Sequence, residues 1–269
     1  MNKTTEKTEM LKPIDDTQIQ KNESVVEEIP KGWLYIDWLP SNFKCYPKGT
    51  KILSRPLKVL ELKHLATMTE KTSDMVIDNV LKDSVMGIDY EDLLIADKLF
   101  IIMWQRANTY QGDEFSIPFT CPECGHEGKY TFNPSKLSFS DVPEDYSPDK
   151  VYIIGDHKVQ LDQFRIKTKA MVNQFVLEDN TVDIDILTSV AVRIGKLDGN
   201  DVDLRTAYDF VVNMDPKDFI KLNDICEKTV VKVFPVVDVK CESCGKEVPV
   251  MVSFTSEFFL PSYSDQRSA

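Results

Sequence analysis

An α+β fold is what the sequence predicts, with a helical segment set between two β-hairpins. Three observations point there. Two Cys-x-x-Cys pairs, "CPECG" at 121–125 and "CESCG" at 241–245, each sit between short strand-like runs. A run rich in apolar residues, "DYEDLLIADKLFIIMWQRAN", reads as a long helix just before the first pair. Between the pairs lie 116 residues, counted from Cys124 to Cys241, and they are largely of helical pattern.

The elements follow in order. Residues 1–30 are polar, charged and almost free of aromatics, which predicts a disordered acidic arm. Trp33, Tyr35 and Trp38 then mark the start of ordered chain, and the prolines at 40 and 47 punctuate short extended pieces. "KILSRPL" reads as a strand leading into a helix over 57–68, with Leu57, Leu60, Leu62 and Leu65 available to its buried side. "TSDMVIDNVLKDSV" predicts a second helix capped by Thr72 or Ser73, with Met75, Val76, Asn79 and Val80 near one face. The long run that follows is apolar around most of its circumference, as expected of a central core helix.

Beyond the first cysteine pair, "KVYIIGDHKVQLDQF" alternates around a Gly-Asp turn and predicts a hairpin. Helical stretches follow at about 170–194 and 203–231, interrupted by "GKLDGNDVD". Asp198, Asn200, Asp201 and Asp203 lack the spacing of a calcium loop and read as an acidic turn. The expected organisation is a 1–30 arm, a 31–118 β/α region, a module of 119–133 with 236–256, a 134–235 insert, and a 257–269 tail.

Cys121, Cys124, Cys241 and Cys244 carry the chemistry. A glycine after each second cysteine suits a tight turn with positive φ, from which backbone amides can face thiolate sulfur. Two such knuckles facing each other form a zinc-ribbon-like pair, with four thiolates at about 2.3 Å from one zinc. Ribbon pairs are usually separated by roughly 15–20 residues; an insertion between the two hairpins accounts for the longer separation here. The expectation is one structural zinc per chain, since four thiolates leave no open position for catalytic water. Metal held between chains or with His126, and cysteines without metal, are the other readings. Cys45 and Cys226 read as small buried hydrophobes.

Composition narrows the function. A net charge of −12 removes the basic stripe that nucleic-acid binding requires. The longest apolar run, "LFIIMW", is far shorter than the ~20 residues of a membrane span. No signal-peptide pattern opens the sequence, so a reducing cytoplasm is expected, where paired cysteines bind metal more often than they form disulfides. No nucleophile elbow, phosphate loop or metalloprotease motif occurs. His64, His126 and His157 stand alone, and Asp97, with Glu91 and Asp92, reads as an ordinary solvated helix carboxylate. No small-molecule substrate is expected, and the chain is not expected to be an enzyme.

The order of features in "LPSNFKCYPKGTKILSRPLKVLEL", "LLIADKLFIIMWQRANTYQGDEFSIPFTCPECG" and "VKCESCGKEVPVMVSFTSEFFLP" resembles the baseplate hub subunit and assembly family of T-even-like contractile-tailed bacteriophages, over roughly residues 33–261. The resemblance implies a non-enzymatic part in virion morphogenesis, other phage baseplate and tail proteins as partners, and a place in the virion tail or in the host cytoplasm during assembly. Trp33, Tyr35, Trp38, Phe258 and Phe259, at the edges of ordered sequence, are the expected docking residues, because aromatics are enriched at interface hot spots. The knuckles alone also fit a cellular zinc-ribbon adaptor of a transcription, translation or other multi-subunit complex.

Overall fold

The computed structural model describes residues 29–110, 115–132, 138–139, 142–144, 146–179 and 181–260. The expected arm (residues 1–28 of it) and residues 261–269 of the expected tail lie outside the described residues. Eight α-helices and thirteen short strands are found among the described residues, so the fold is mixed α+β.

The N-terminal part contains β1 (Leu34–Tyr35), β2 (Leu53–Ser54), α1 (Val59–Ala66), α2 (Ser73–Ser84), β3 (Val85–Met86) and α3 (Ile95–Tyr110). The first hairpin is β4 (Phe115–Thr120) with β5 (Glu127–Phe132). After β6 (Ser138–Phe139) come β7 (Val151–Ile154), β8 (His157–Leu161), α4 (Ile166–Glu178), α5 (Ile186–Ala191), β9 (Ile194–Leu197), β10 (Asn200–Asp201), α6 (Leu204–Val212) and α7 (Pro216–Thr229). The chain returns through β11 (Val233–Phe234) to the second hairpin, β12 (Val236–Lys240) with β13 (Glu247–Met251), and ends in α8 (Ser256–Phe259).

Strands β11 and β6 pair antiparallel, so the chain leaves the first hairpin and re-enters the second at one place. Between them, β10-β9-β8-β7 form a four-stranded sheet. The expected hairpin is the β7–β8 pair, turning at Gly155 and Asp156. Each of the two helical stretches read as continuous is divided in two. Asp185 caps α5 by accepting from the Thr188 amide at 3.0 Å, and Asp215 with Pro216 starts α7 afresh. The interrupting segment "GKLDGNDVD" supplies β9 and β10, whose tip holds Asp198 and Gly199 at positive φ.

The apolar side chains gather into two cores. The first surrounds α3, of which Phe100 to Ala107 are all buried, and draws in both hairpins through Phe119, Val237, Val239, Val248 and Val252. The N-terminal region and the paired hairpins, expected as separate modules, therefore share one core. A two-stranded hairpin is marginal alone and needs another surface against its apolar face. The second core, with Val159, Leu161, Phe175, Ile194, Ala207 and Leu222, belongs to the 151–226 segment.

Two helix faces differ from expectation. The helix expected from 57 starts at Val59; Leu57 before it and Leu65 on it are buried, but Leu60 is 61 % exposed. On α2, Ile77, Val80 and Leu81 are buried and Met75 is 60 % exposed. Thr72 precedes α2 but makes no cap bond; its hydroxyl accepts from the Thr69 amide at 2.9 Å.

Candidate metal centre

The two cysteine loops are built alike. Strand pairing ends at Thr120 opposite Glu127 in one hairpin and at Lys240 opposite Glu247 in the other. In the first loop the Cys121 amide donates to the His126 carbonyl at 2.8 Å and the Gly125 amide to the Cys121 carbonyl at 2.9 Å. In the second, Cys241 donates to Lys246 and Gly245 to Cys241, both at 2.8 Å. The glycines close the loops at φ +71° and +74°, where a residue with a Cβ would be strained.

Facing each other, the loops bring four sulfurs within 4.8 Å of one another. The Sγ atoms of Cys121 and Cys244 are 3.7 Å apart, as are those of Cys124 and Cys241. A disulfide requires about 2.05 Å, and all six cysteines are free thiols. Four sulfurs tetrahedral at about 2.3 Å from a central ion lie about 3.8 Å apart, so the cage has the size of a tetrathiolate metal site. Cys121 and Cys241 are buried while Cys124 and Cys244 reach the surface, so the cluster sits at the boundary of the first core.

The electrostatics favour a cation. The Cys244 amide donates to the Cys241 sulfur, aided by the Ser243 amide, and these bonds bring the Cys241 thiol down to about 6 against the opposition of burial. Cys244 accepts from the Lys246 amide, but burial and the sulfurs of Cys241, Cys124 and Cys121 together push it up to about 11. Four thiols at this separation cannot all ionise without a compensating positive charge, which a metal ion supplies. The thiolate set suits a soft or borderline metal. His126 is not part of the ligand group; its ring lies 3.5 Å from where a Cβ on Gly128 would stand. An exposed ion pair at 2.5 Å, Lys246 with Glu123, bridges the two loops.

The expected docking aromatics are divided by the fold. Trp33, Tyr35 and Trp38 are half-buried: Arg55 lies over the Trp33 ring, Lys51 over Tyr35, and Trp38 packs edge-on to Phe100 at 5.0 Å. Phe258 and Phe259 are buried in the first core, where Arg106 Nε donates to the Phe258 carbonyl and the Tyr110 hydroxyl to that of Phe259, each at 2.9 Å. Their rings are thus covered by the chain itself, and residues 256–260 are no free tail.

Sequence reading also missed a buried polar joint. Asp97 is fully buried, not solvated, and accepts from the Tyr46 hydroxyl at 2.6 Å and the Ser41 amide at 3.0 Å. Burial raises its carboxyl to about 6 despite those donors. Nearby, Arg165 binds Asp162 and donates to the Asp92 carbonyl at 2.7 Å and that of Cys45 at 2.9 Å, tying the second core to the first. A cleft of about 720 Å³ opens at this joint, lined by Phe43, Tyr46, Asp162, Arg165 and Lys196. The one available signal was an aspartate in the first turn of a helix whose central run is apolar. The thiols of Cys45 and Cys226 are pushed up to about 12 and about 11, chiefly by burial, which leaves them unreactive.

Residues 39–260 match the family model described as T4 bacteriophage base plate protein. The chain belongs to that family. The match spans both cores and all four cysteines, so the base plate family model takes in the inserted segment as well as the hairpins. No curated protein and no solved structure matches the chain. Membership makes the protein a phage baseplate component with baseplate and tail proteins as partners. Among the described residues no helix is long and apolar enough to cross a membrane.

Proposed function

We propose that this chain is a non-enzymatic structural or assembly protein of the hub region of a phage tail baseplate, stapled by one zinc ion. The family match over residues 39–260 carries the assembly role. The zinc reading rests on Cys121, Cys124, Cys241 and Cys244, whose sulfur spacing and all-thiolate chemistry fit a closed zinc site. In this reading the metal joins the two hairpins at the ends of the 134–235 insert and takes no part in bond making, because every ligand position is occupied by sulfur. The half-buried faces of Trp33, Tyr35 and Trp38 remain the proposed contact with neighbouring baseplate subunits.

Quantitative mass spectrometry of purified virions and tail-assembly intermediates tests the role. A fixed copy number in virions supports a structural subunit, and presence in intermediates alone supports an assembly factor. Absence from both overturns the proposal. Metal analysis of the untagged chain tests the staple: one zinc per chain is expected, and a protein equally stable without any metal would refute it.

A further inference from the structure

The four sulfurs of the cage include two close pairs, and each of these joins one hairpin to the other. Cys121 Sγ lies 3.7 Å from Cys244 Sγ, and Cys124 Sγ lies 3.7 Å from Cys241 Sγ. Each pair also sets a buried cysteine, Cys121 or Cys241, against an exposed one, Cys244 or Cys124. A disulfide holds its sulfurs at about 2.05 Å, so either bond needs a closing movement of less than about 2 Å. Lys246 and Glu123, one from each loop and 2.5 Å apart, already draw the tips together.

Pairing within a loop meets more resistance. Cys121 and Cys124 share a turn closed by the Gly125 amide on the Cys121 carbonyl, and Cys241 and Cys244 share one closed by the Gly245 amide on the Cys241 carbonyl. An S–S bond inside such a turn has to deform it, whereas a bond between turns only has to bring two tips nearer. The remaining thiols are shielded from oxidants: Cys45 is buried in the first core and Cys226 in the second.

We propose that the cage is a convertible staple: on oxidation by a peroxide, Cys121 bonds to Cys244 and Cys124 to Cys241, and the link between the hairpins changes from metal to disulfide. Only the starting state rests on the zinc reading above; the pairing stands on the sulfur geometry. In each pair the exposed thiolate, Cys244 or Cys124, attacks peroxide, and the O–O bond breaks to give a sulfenic acid and hydroxide. The buried thiolate of the other hairpin then attacks the sulfenic sulfur, forming the S–S bond and expelling a second hydroxide. Two electrons pass from two sulfurs to one peroxide, and two protons from solvent turn the hydroxides into water. With both pairs oxidised, no thiolate charge is left to hold a cation, so the ion leaves. Metal suits a reducing cell interior and a disulfide an oxidising exterior, so the hairpins of a tail protein stay joined on both sides of release.

Hydrogen peroxide is added to the full, untagged, reduced chain after its metal content has been measured. One ion per chain should be released and four of the six thiols lost, with Cys45 and Cys226 still reduced. Cleavage after glutamate, at Glu123 and Glu242 among others, separates the four cysteines, so mass spectrometry without reduction reads their pairing. Amide exchange in β12 and β13 of the oxidised chain should stay within about threefold of the metal-bound chain. Bonds of Cys121 to Cys124 or of Cys241 to Cys244 would overturn the proposal, as would bonds between two chains. So would sulfinic or sulfonic acids in place of disulfides, or an ion retained on four reduced thiols. A reduced chain that holds no metal at the outset refutes the zinc reading instead, and the pairing it forms on oxidation still decides this one.

Discussion

The two cores solve the same stability problem by different means. The second holds a four-stranded sheet against four helices, and its largest fully buried side chain is a cation, Arg193. That guanidinium donates to the Asp162 carbonyl, to the Cys226 carbonyl at 3.2 Å and to the Thr229 hydroxyl at 3.2 Å. Gln163 completes the joint, donating to the Thr229 carbonyl at 2.8 Å and accepting from the Val231 amide at 3.0 Å. The first core instead depends on two separate hairpins, far apart in sequence, whose tips meet at four sulfurs and one exposed ion pair. Secondary structure with enough strands and helices can close its own core. Two-stranded ribbons cannot, and need another surface such as a helix against one face, to which the proposed metal would add a cross-link at the tip.

Removing the proposed metal cross-link should break this comparison most sharply. Metal sites of this type contribute on the order of 10 kcal/mol to folding in small model systems. Chelation, or Cys241→Ser, is expected to abolish protected exchange in β4, β5, β12 and β13 while the β7–β8 sheet keeps its protection. Loss of both together would show that the second core is not self-supporting. Arg193→Ala is the converse experiment. It leaves buried carbonyls unpaired and a cavity, a loss of about 3–5 kcal/mol read by denaturant unfolding. Its effect on exchange should concentrate in α5, α7 and β9 rather than at the cysteine loops.

A pH profile sharpens the comparison through Asp97, which belongs to the first core. Its carboxyl is raised to about 6 by burial, against about 3.9 in an unfolded chain. The folded state therefore binds this proton more tightly, and the group's stabilising contribution is complete below about pH 4. It is lost as pH rises through 6, a fall of about 3 kcal/mol. The difference in unfolding free energy between the parent and Asp97→Asn should shift by this amount between pH 4 and 7. A flat difference would mean that Asp97 does not titrate between folded and unfolded states. The smallest effect is expected at the tips: Lys246→Ala removes an exposed ion pair with Glu123, and its thermal midpoint should reflect less than about 1 kcal/mol.

Much of this was legible residue by residue. The cysteine pairs, their glycines and the strand pattern around them pointed to hairpins because each signal is local. The β7–β8 hairpin and the central helix α3 were readable for the same reason. Faces were harder. At and just before α1, Leu57, Leu60, Leu62 and Leu65 offer more than one apolar stripe, and nothing local says that Leu60 is the one left out. On α2 the alternatives Met75 and Ile77 are both apolar, and packing into the first core chose Ile77. Asp97 looked like a surface carboxylate because its partners, Tyr46 and Ser41, lie more than fifty residues earlier.

By itself, the sequence determined the ligand chemistry and the local turns: thiolates, glycines at positive φ, alternating strands and an apolar helix are properties of neighbouring residues. Only the tertiary structure decided that Cys121 faces Cys244 and Cys124 faces Cys241, and that Phe258 and Phe259 close the first core. It also decided that Arg165 ties one core to the other. Those outcomes depend on which distant surfaces exclude water from one another. Periodicity in one segment carries no information about the partner that will cover it.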